Sequence, residues 1–181
     1  DRVKGKCDEC VVRKLEIVMQ QAGVTPDICP AVRASLDKAQ ATGAPAGAMV
    51  LPDGRVVTGK TSSLLGPSAA MLLNAVKLLA GIDKDLDLLP ASIIAPISDM
   101  KLRHLGHHNP RLHSDEVLIA LSISAVTNPL AERVLKKLDD LRGSEAHFSV
   151  ILSEEDAKLY KRLGIHVSCE PRYEVKKLYH K

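Results

Sequence analysis

Apolar residues recur at helical spacing from the start of the chain. Val12, Leu15, Val18 and Met19 share one face and predict a helix over about residues 9–21, closed by Gly23. A second helix follows over about 30–41 and stops before Gly43. The pattern then changes period. Ala48–Leu51 and Arg55–Thr58 are short strand-forming runs on either side of Pro52-Asp53-Gly54, a strong local signal for a β-hairpin. A polar loop over 59–66 leads to Pro67 at the first position of a helix running to about Ala80. In that helix only Ser68, Asn74 and Lys77 are polar, and a helix apolar nearly all round is a buried one.

The second half continues the alternation. Residues 83–90 read as a surface loop, Ser92–Ala95 as a short buried strand ended by Pro96, and Ser98 or Asp99 as the cap of a brief helix to Leu105. After a loop rich in histidine, Ser114 reads as an N-cap, with Asp115 and Glu116 in the first turn where the helix dipole favours them. The helix from Asp115 to about Thr127 has only Ser122 and Ser124 as polar interruptions beyond that turn, so it too is expected to be buried. Asn128-Pro129 caps the next helix, with Leu130, Val134, Leu138 and Leu141 as its stripe. His147–Leu152 reads as a strand, Ser153 as the cap of a helix ended by Gly164, Ile165–Cys169 as a last strand, and Glu170–Lys181 as a charged tail.

This order gives an α/β fold: a three-layer sandwich whose mixed sheet opens on a β-hairpin and carries helices on both faces. Residues 1–43 read as a helical appendage and 44–181 as the sandwich domain, with Gly43–Gly47 as the join. The arrangement resembles the cytidine-deaminase-like fold. The zinc deaminases place H-x-E and P-C-x-x-C at the starts of two buried helices, but those positions here read Gly66-Pro67-Ser68-Ala69-Ala70 and His113-Ser114-Asp115-Glu116. Deaminase chemistry does not follow from the shape.

Composition narrows the function classes. The chain of 181 residues is 45% hydrophobic and 26% charged, a globular balance, with a net charge of only +3. Its aromatics are Phe148, Tyr160, Tyr173 and Tyr179, too few and too clustered to stack bases along a basic groove, which argues against nucleic acid. No apolar run reaches the roughly 18 residues of a membrane span. Four unevenly spaced cysteines suit a reducing, cytoplasmic setting better than a disulfide framework. A first residue of Asp suggests the C-terminal fragment of a longer protein.

Several motifs carry candidate chemistry. Gly54-Arg-Val-Val-Thr-Gly59-Lys60-Thr61 fits the P-loop pattern letter for letter. A true P-loop needs a strand ending at the first Gly and a helix starting at the Lys, whereas here Val56-Val57 reads as a strand and the helix waits until Pro67. The reading that survives is a loop in which Lys60, Thr61, Ser62 and Ser63 precede a helix N-terminus, a place that attracts anions; an ordinary solvated loop is the alternative. His104, His107, His108 and His113 invite a metal, yet Gly106 interrupts the helix and adjacent histidines do not point one way, so no metal is assigned. Arg111, His113, Asp115 and Glu116 form a more coherent set. Arg forks onto carboxylate or phosphate, His titrates near neutrality, and an acid orients the ring. Against this, the acids could merely complement the helix dipole. Cys7-Asp8-Glu9-Cys10 reads as half a zinc site, a redox pair, or two small residues at a helix start. The last is preferred, because zinc would need Cys29 and a histidine to complete it.

At LPDGRVVTGKTSSLLGPSAA and NPRLHSDEVLIALSISA the chain resembles the C-terminal part of uncharacterised protein family 0371, over roughly Ala46 to Tyr173. The resemblance implies a soluble cytoplasmic bacterial protein with a further N-terminal domain and no assigned activity. An ATP-dependent peptidase label carried by some relatives conflicts with the P-loop argument. The expected function is binding of a small anionic, phosphate- or nucleotide-like ligand. Lys60, Thr61, Ser62, Ser63 and Arg111 would hold it, while His113 with Asp115 or Glu116 handles protons, in an active site shared with the N-terminal domain. The alternative is a structural, oligomerising domain with no ligand. A homo-oligomer is expected; the cofactor and the reaction are left open.

Overall fold

Gly54 sets where the sheet begins. Its φ of 83° is one that side chains disfavour, and it lets the chain reverse so that Gly54 N donates to Leu51 O at 2.8 Å and Leu51 N to Arg55 O at 2.9 Å. The Asp53 carboxylate accepts from Arg55 N and Nε and holds the turn. The computed structural model describes residues 4–5 and 7–174, and it places β1 (Ala46–Val50) antiparallel to β2 (Val56–Lys60), with Ala48 opposite Thr58. On its other side β1 pairs antiparallel with β3 (Glu145–Phe148), and β3 pairs parallel with β4 (His166–Cys169). The sheet order is β2-β1-β3-β4.

Seven α-helices accompany the sheet among the described residues: α1 (Glu9–Ala22), α2 (Pro30–Thr42), α3 (Pro67–Leu79), α4 (Ala91–Arg103), α5 (Ser114–Ser124), α6 (Pro129–Leu135) and α7 (Glu154–Arg162). The alternation of β1 assigns them to layers. A Cβ on Gly47 would stand 2.4 Å from the Phe148 ring and 3.2 Å from Met71 Sδ, so Gly47 and Met49 face α3. Ala46 and Ala48 face the other way and are fully buried under α2, whose Ala31 and Val32 are buried in turn. Gly59 is needed for closeness: a Cβ there would lie 2.2 Å from Met71 N, so α3 rests directly on β2. The main core lies on the α3 side, where Met71, Leu72 and Ala75 meet Val117 and Leu121 of α5, Val134 of α6, Phe148 and Tyr160. Phe148 and Tyr160 stack edge to face at 5.6 Å, and Tyr160 Oη donates to Ser68 O at 2.8 Å, tying α7 to the first turn of α3. The result is the α/β sandwich with a mixed sheet opening on a hairpin.

The two helices before Gly43 differ. The apolar stripe of α1 lies open, with Leu15 and Val18 more than half exposed, whereas α2 supplies an outer layer of the sandwich.

Several expectations are corrected. Ser92–Ala95 is not a strand but the start of α4, which carries Pro96 inside it. A four-residue apolar run has no periodicity to separate strand from helix, and Ile94 reaches the core equally well from a helix. The third strand ends at Phe148, and 149–152 continue as irregular chain. The helix after Asn128 stops at Leu135, and Leu141 reaches the core from a 3-10 turn at Asp139–Leu141. Helix α5 is not buried all round: Ile119, Ile123 and Val126 are 59%, 67% and 83% exposed. Lys77, expected as a polar interruption, is buried; its ammonium donates to the carbonyls of Lys84 and Leu86 and pins the acidic loop, and burial lowers its pKa. The charged tail beyond Glu174 lies outside the described residues. Among the described residues, no helix is long and apolar enough to cross a membrane.

Candidate functional site

The loops in front of α3 and α5 meet. Leu65 and Leu112 form an isolated parallel bridge, in which Leu112 N donates to Leu64 O at 2.9 Å and Gly66 N to Leu112 O at 3.3 Å. The bridge sets the N-termini of α3 and α5 side by side. The first loop is shaped from within, since Ser62 Oγ accepts from Leu64 N and Leu65 N. The second is anchored by Lys101, which is 1% exposed; its Nζ donates to Arg111 O at 2.8 Å and pairs with Glu116 Oε2 at 2.7 Å. Ser98 Oγ donates to Pro110 O, and Arg111 N to Asn109 Oδ1.

A third helix N-terminus joins these two through Asp156. Ser153 caps α7, its Oγ accepting from Asp156 N, and the Asp156 side chain then reaches across to α5. Its carboxylate accepts from Ser114 N at 2.9 Å, Ser153 Oγ at 2.9 Å and His113 Nδ1 at 3.2 Å. Asp156 thus ties the first turn of α5 to the Ser153 cap of its own helix. Burial alone would raise its pKa, but the hydrogen bonds from His113 and Ser114 outweigh burial and hold it at about 2. The hydrogen bond to Asp156 raises the pKa of His113, against desolvation and Lys101, which lower it. Asp156 therefore favours the imidazolium form of His113.

These termini open onto a cavity of about 490 Å³. Gly66, Pro67 and Ser68 of the α3 start form one part of its wall, and Arg111, Leu112 and His113 the next. Val150–Leu152 beyond β3, the α7 start at Ser153–Asp156, Lys4, Asn109, Tyr173 and Glu174 complete it. The first-turn N–H groups of a helix have no intrahelical acceptor, and at α3 Pro67 removes one of them, leaving that of Ser68 on the residue that lines the cavity. Arg111 Nη1 pairs with Glu174 at 2.6 Å, and Lys4 Nζ donates to Leu152 O. Arg111 and His113 thus stand at the α5 start, Lys4 lies against Leu152, and Glu154 and Glu155 stand on the α7 side.

Of the residues singled out from the sequence, Arg111 and His113 line the cavity and the others do not. Lys60 and Ser63 are exposed outside it, Thr61 is buried, and Ser62 shapes its own loop. Asp115 is exposed. Glu116 accepts from His113 N at 2.8 Å and pairs with Lys101, so it caps α5 rather than serving the imidazole. His113, not Ser114, is the N-cap residue of α5. The residue that orients the imidazole is Asp156, 43 positions away. Its place in Ser153-x-x-Asp156 signals a capping box for its own helix, and nothing local signals its reach to α5.

The P-loop pattern is taken up by the hairpin: Gly54 sits in the turn, Val56–Lys60 is β2, and the next helix starts at Pro67. Cys7 and Cys10 are free thiols, and no group of three or more metal-ligating side chains is assembled among the described residues.

Comparison with known proteins places this fold in a family. The model described as "Domain of unknown function DUF1846, C-terminal" matches residues 27–179. A UPF0371 protein of Streptococcus thermophilus is 49% identical over 173 residues, covering 96% of this chain and 35% of the relative. UPF0371 proteins of Streptococcus pyogenes serotypes M5 and M3 match with the same identity and coverage. The chain thus spans about a third of the length of the curated relatives it matches. It belongs to this family, as a match to the family's C-terminal domain.

Proposed function

We propose, from membership in a family whose description assigns no activity, that this domain binds a small anionic ligand and contributes to an active site completed by the rest of the family's longer proteins. The observation that carries this reading is one cavity shared by the N-terminus of α3 and by His113, whose imidazolium form the buried Asp156 favours. A helix start presents N–H groups and positive potential to an anion, and a cationic imidazole beside it adds a charged donor. The anion would sit against Ser68 and His113, with Arg111 exchanging Glu174 for it. Glu154 and Glu155 at the α7 start would accept from ligand hydroxyl or amino groups, which suits a phosphate ester or nucleotide better than bare phosphate. Proton transfer, where the reaction needs it, falls to His113 with Asp156 as its positioning partner, while Lys60–Ser63 act by shaping the loop bridged to the site.

A thermal-shift screen of nucleotides and sugar phosphates tests this. The reading expects a stabilising ligand whose effect is reduced by Arg111→Ala and His113→Gln and kept by Lys60→Ala. A stabilising effect that survives both pocket substitutions would sink it.

The bare apolar faces of α1 and α5 favour the second reading, an assembly domain with no ligand of its own. It expects no stabilising ligand, together with an oligomer that Ile123→Glu dissociates.

A further inference from the structure

We infer that the outward face of α5 is the docking surface for the part of the family's longer polypeptide that lies outside this domain. Helix α5 has neighbours on three sides, α3, α6 and α7. Its fourth side carries Ile119, Ile123 and, just past its end, Val126, at spacings of four and three that align them in one stripe. All three are β-branched and more than half exposed. A helix of this composition is made to be packed on every side, and among the described residues the domain's own elements fill only three.

The occupant is argued from length and position. The curated relatives share 49% identity with this chain, yet the match covers only 35% of their length, so about two-thirds of each relative is polypeptide that must sit somewhere against or beside this domain. The stripe leads back to the pocket. Asp115 is exposed one turn before Ile119 on the same side of the helix, and the residue before Ser114 is His113 on the cavity wall. At about 1.5 Å per residue, Ile119 lies within roughly 10 Å along the helix from the pocket mouth. A body seated on the stripe would therefore stand beside that mouth, where a shared active site requires it. Met100, Leu102 and Leu105, also exposed, belong to α4 and its end, which Lys101 ties to the start of α5. This inference names the contact that the shared-site reading needs, but it is tested without any ligand.

The test is carbene footprinting of this chain and of the full-length Streptococcus thermophilus protein, read on the peptide aligned with residues 114–127, with molar mass measured in the same samples. The expected result is heavy labelling of Ile119, Ile123 and Val126 in this chain. Labelling of the aligned peptide should fall several-fold in the full-length protein, with the fall persisting on dilution to monomer. Equal labelling in the two proteins overturns the inference. So does protection that is lost on dilution, or protection already present in a dimer of this chain that Ile123→Glu makes monomeric, since either assigns the face to a second copy. Phosphate binding at the pocket, measured separately, has no bearing on these outcomes.

Discussion

Replacing Asp156 by Asn removes the charge that joins the starts of α5 and α7 while keeping the shape of the side chain. The carboxylate is 5% exposed and accepts from Ser114 N, Ser153 Oγ and His113 Nδ1. Its pKa falls from an ordinary 3.8 to about 2. At about 1.4 kcal/mol per unit, that shift corresponds to about 2–3 kcal/mol of stability in the ionised state. Asn keeps one acceptor and turns the other oxygen into a donor, so the expected loss is about 2–3 kcal/mol at pH 6, the scale of a buried charge-assisted hydrogen bond. For a chain of this size that is a fall in Tm of about 5–10 °C.

The pH dependence follows from the two shifts. Asp156 is depressed, so its contribution is present above about pH 4 and is lost as pH falls toward 2. His113 is raised, so its contribution is complete below its unfolded value and is lost as pH rises through the folded one. The stability gap between wild type and Asp156→Asn, read by urea unfolding, should therefore be widest between about pH 4 and pH 6.5 and should narrow on either side. NMR titration should show the His113 pKa falling in the variant. A gap that stays flat with pH, or an unchanged His113 titration, would refute the claim that this carboxylate organises the site.

Other consequences can be read directly. Lys101→Met should cost about 3 kcal/mol, because it strips a buried partner from Glu116 and from Arg111 O; hydrogen exchange should speed up over residues 104–113. Gly59→Ala should cost more than the roughly 1–3 kcal/mol of ordinary overpacking, since the clash is with the Met71 backbone rather than a movable side chain; urea unfolding reads it. Ile123→Glu in this chain should change stability by no more than about 0.5 kcal/mol, as for an exposed surface position; a larger loss would mean that the domain itself uses that face.

Much of this fold is local in origin, and so legible in the sequence. Asp53-Gly54 between two β-branched runs marks the hairpin, Pro67 the start of α3, and Ser153 the cap of α7, because each depends on residues within a few positions. Failures come where long-range packing decides. Ser92–Ala95 is too short for its period to be read, and the neighbours that seat it as a helix are far away in sequence. The all-round apolar composition of α5 predicts burial on every side, yet Ile119 and Ile123 are exposed, because composition alone does not say how many sides of a helix its neighbours cover. At the site, Arg111 and His113 could be found because loop chemistry at a helix start is a local pattern. Asp156 could not, since its role arises only when the Leu65–Leu112 bridge and the packing of Tyr160 on Ser68 bring three helix starts together. Glu116 reads as an acid beside a histidine, yet buried Lys101, fifteen residues upstream, claims it.

The central claim is that an anion is held between the start of α3 and His113. The most direct measurement is an NMR titration of this chain with inorganic phosphate and with ADP, following backbone amides and imidazole resonances. The account predicts saturable shifts at the Ser68 amide and at the His113 ring, with affinity falling about tenfold or more in His113→Gln, the loss expected for one charge-assisted hydrogen bond. Shifts confined to Lys60–Ser63, or binding that is indifferent to His113, would contradict it.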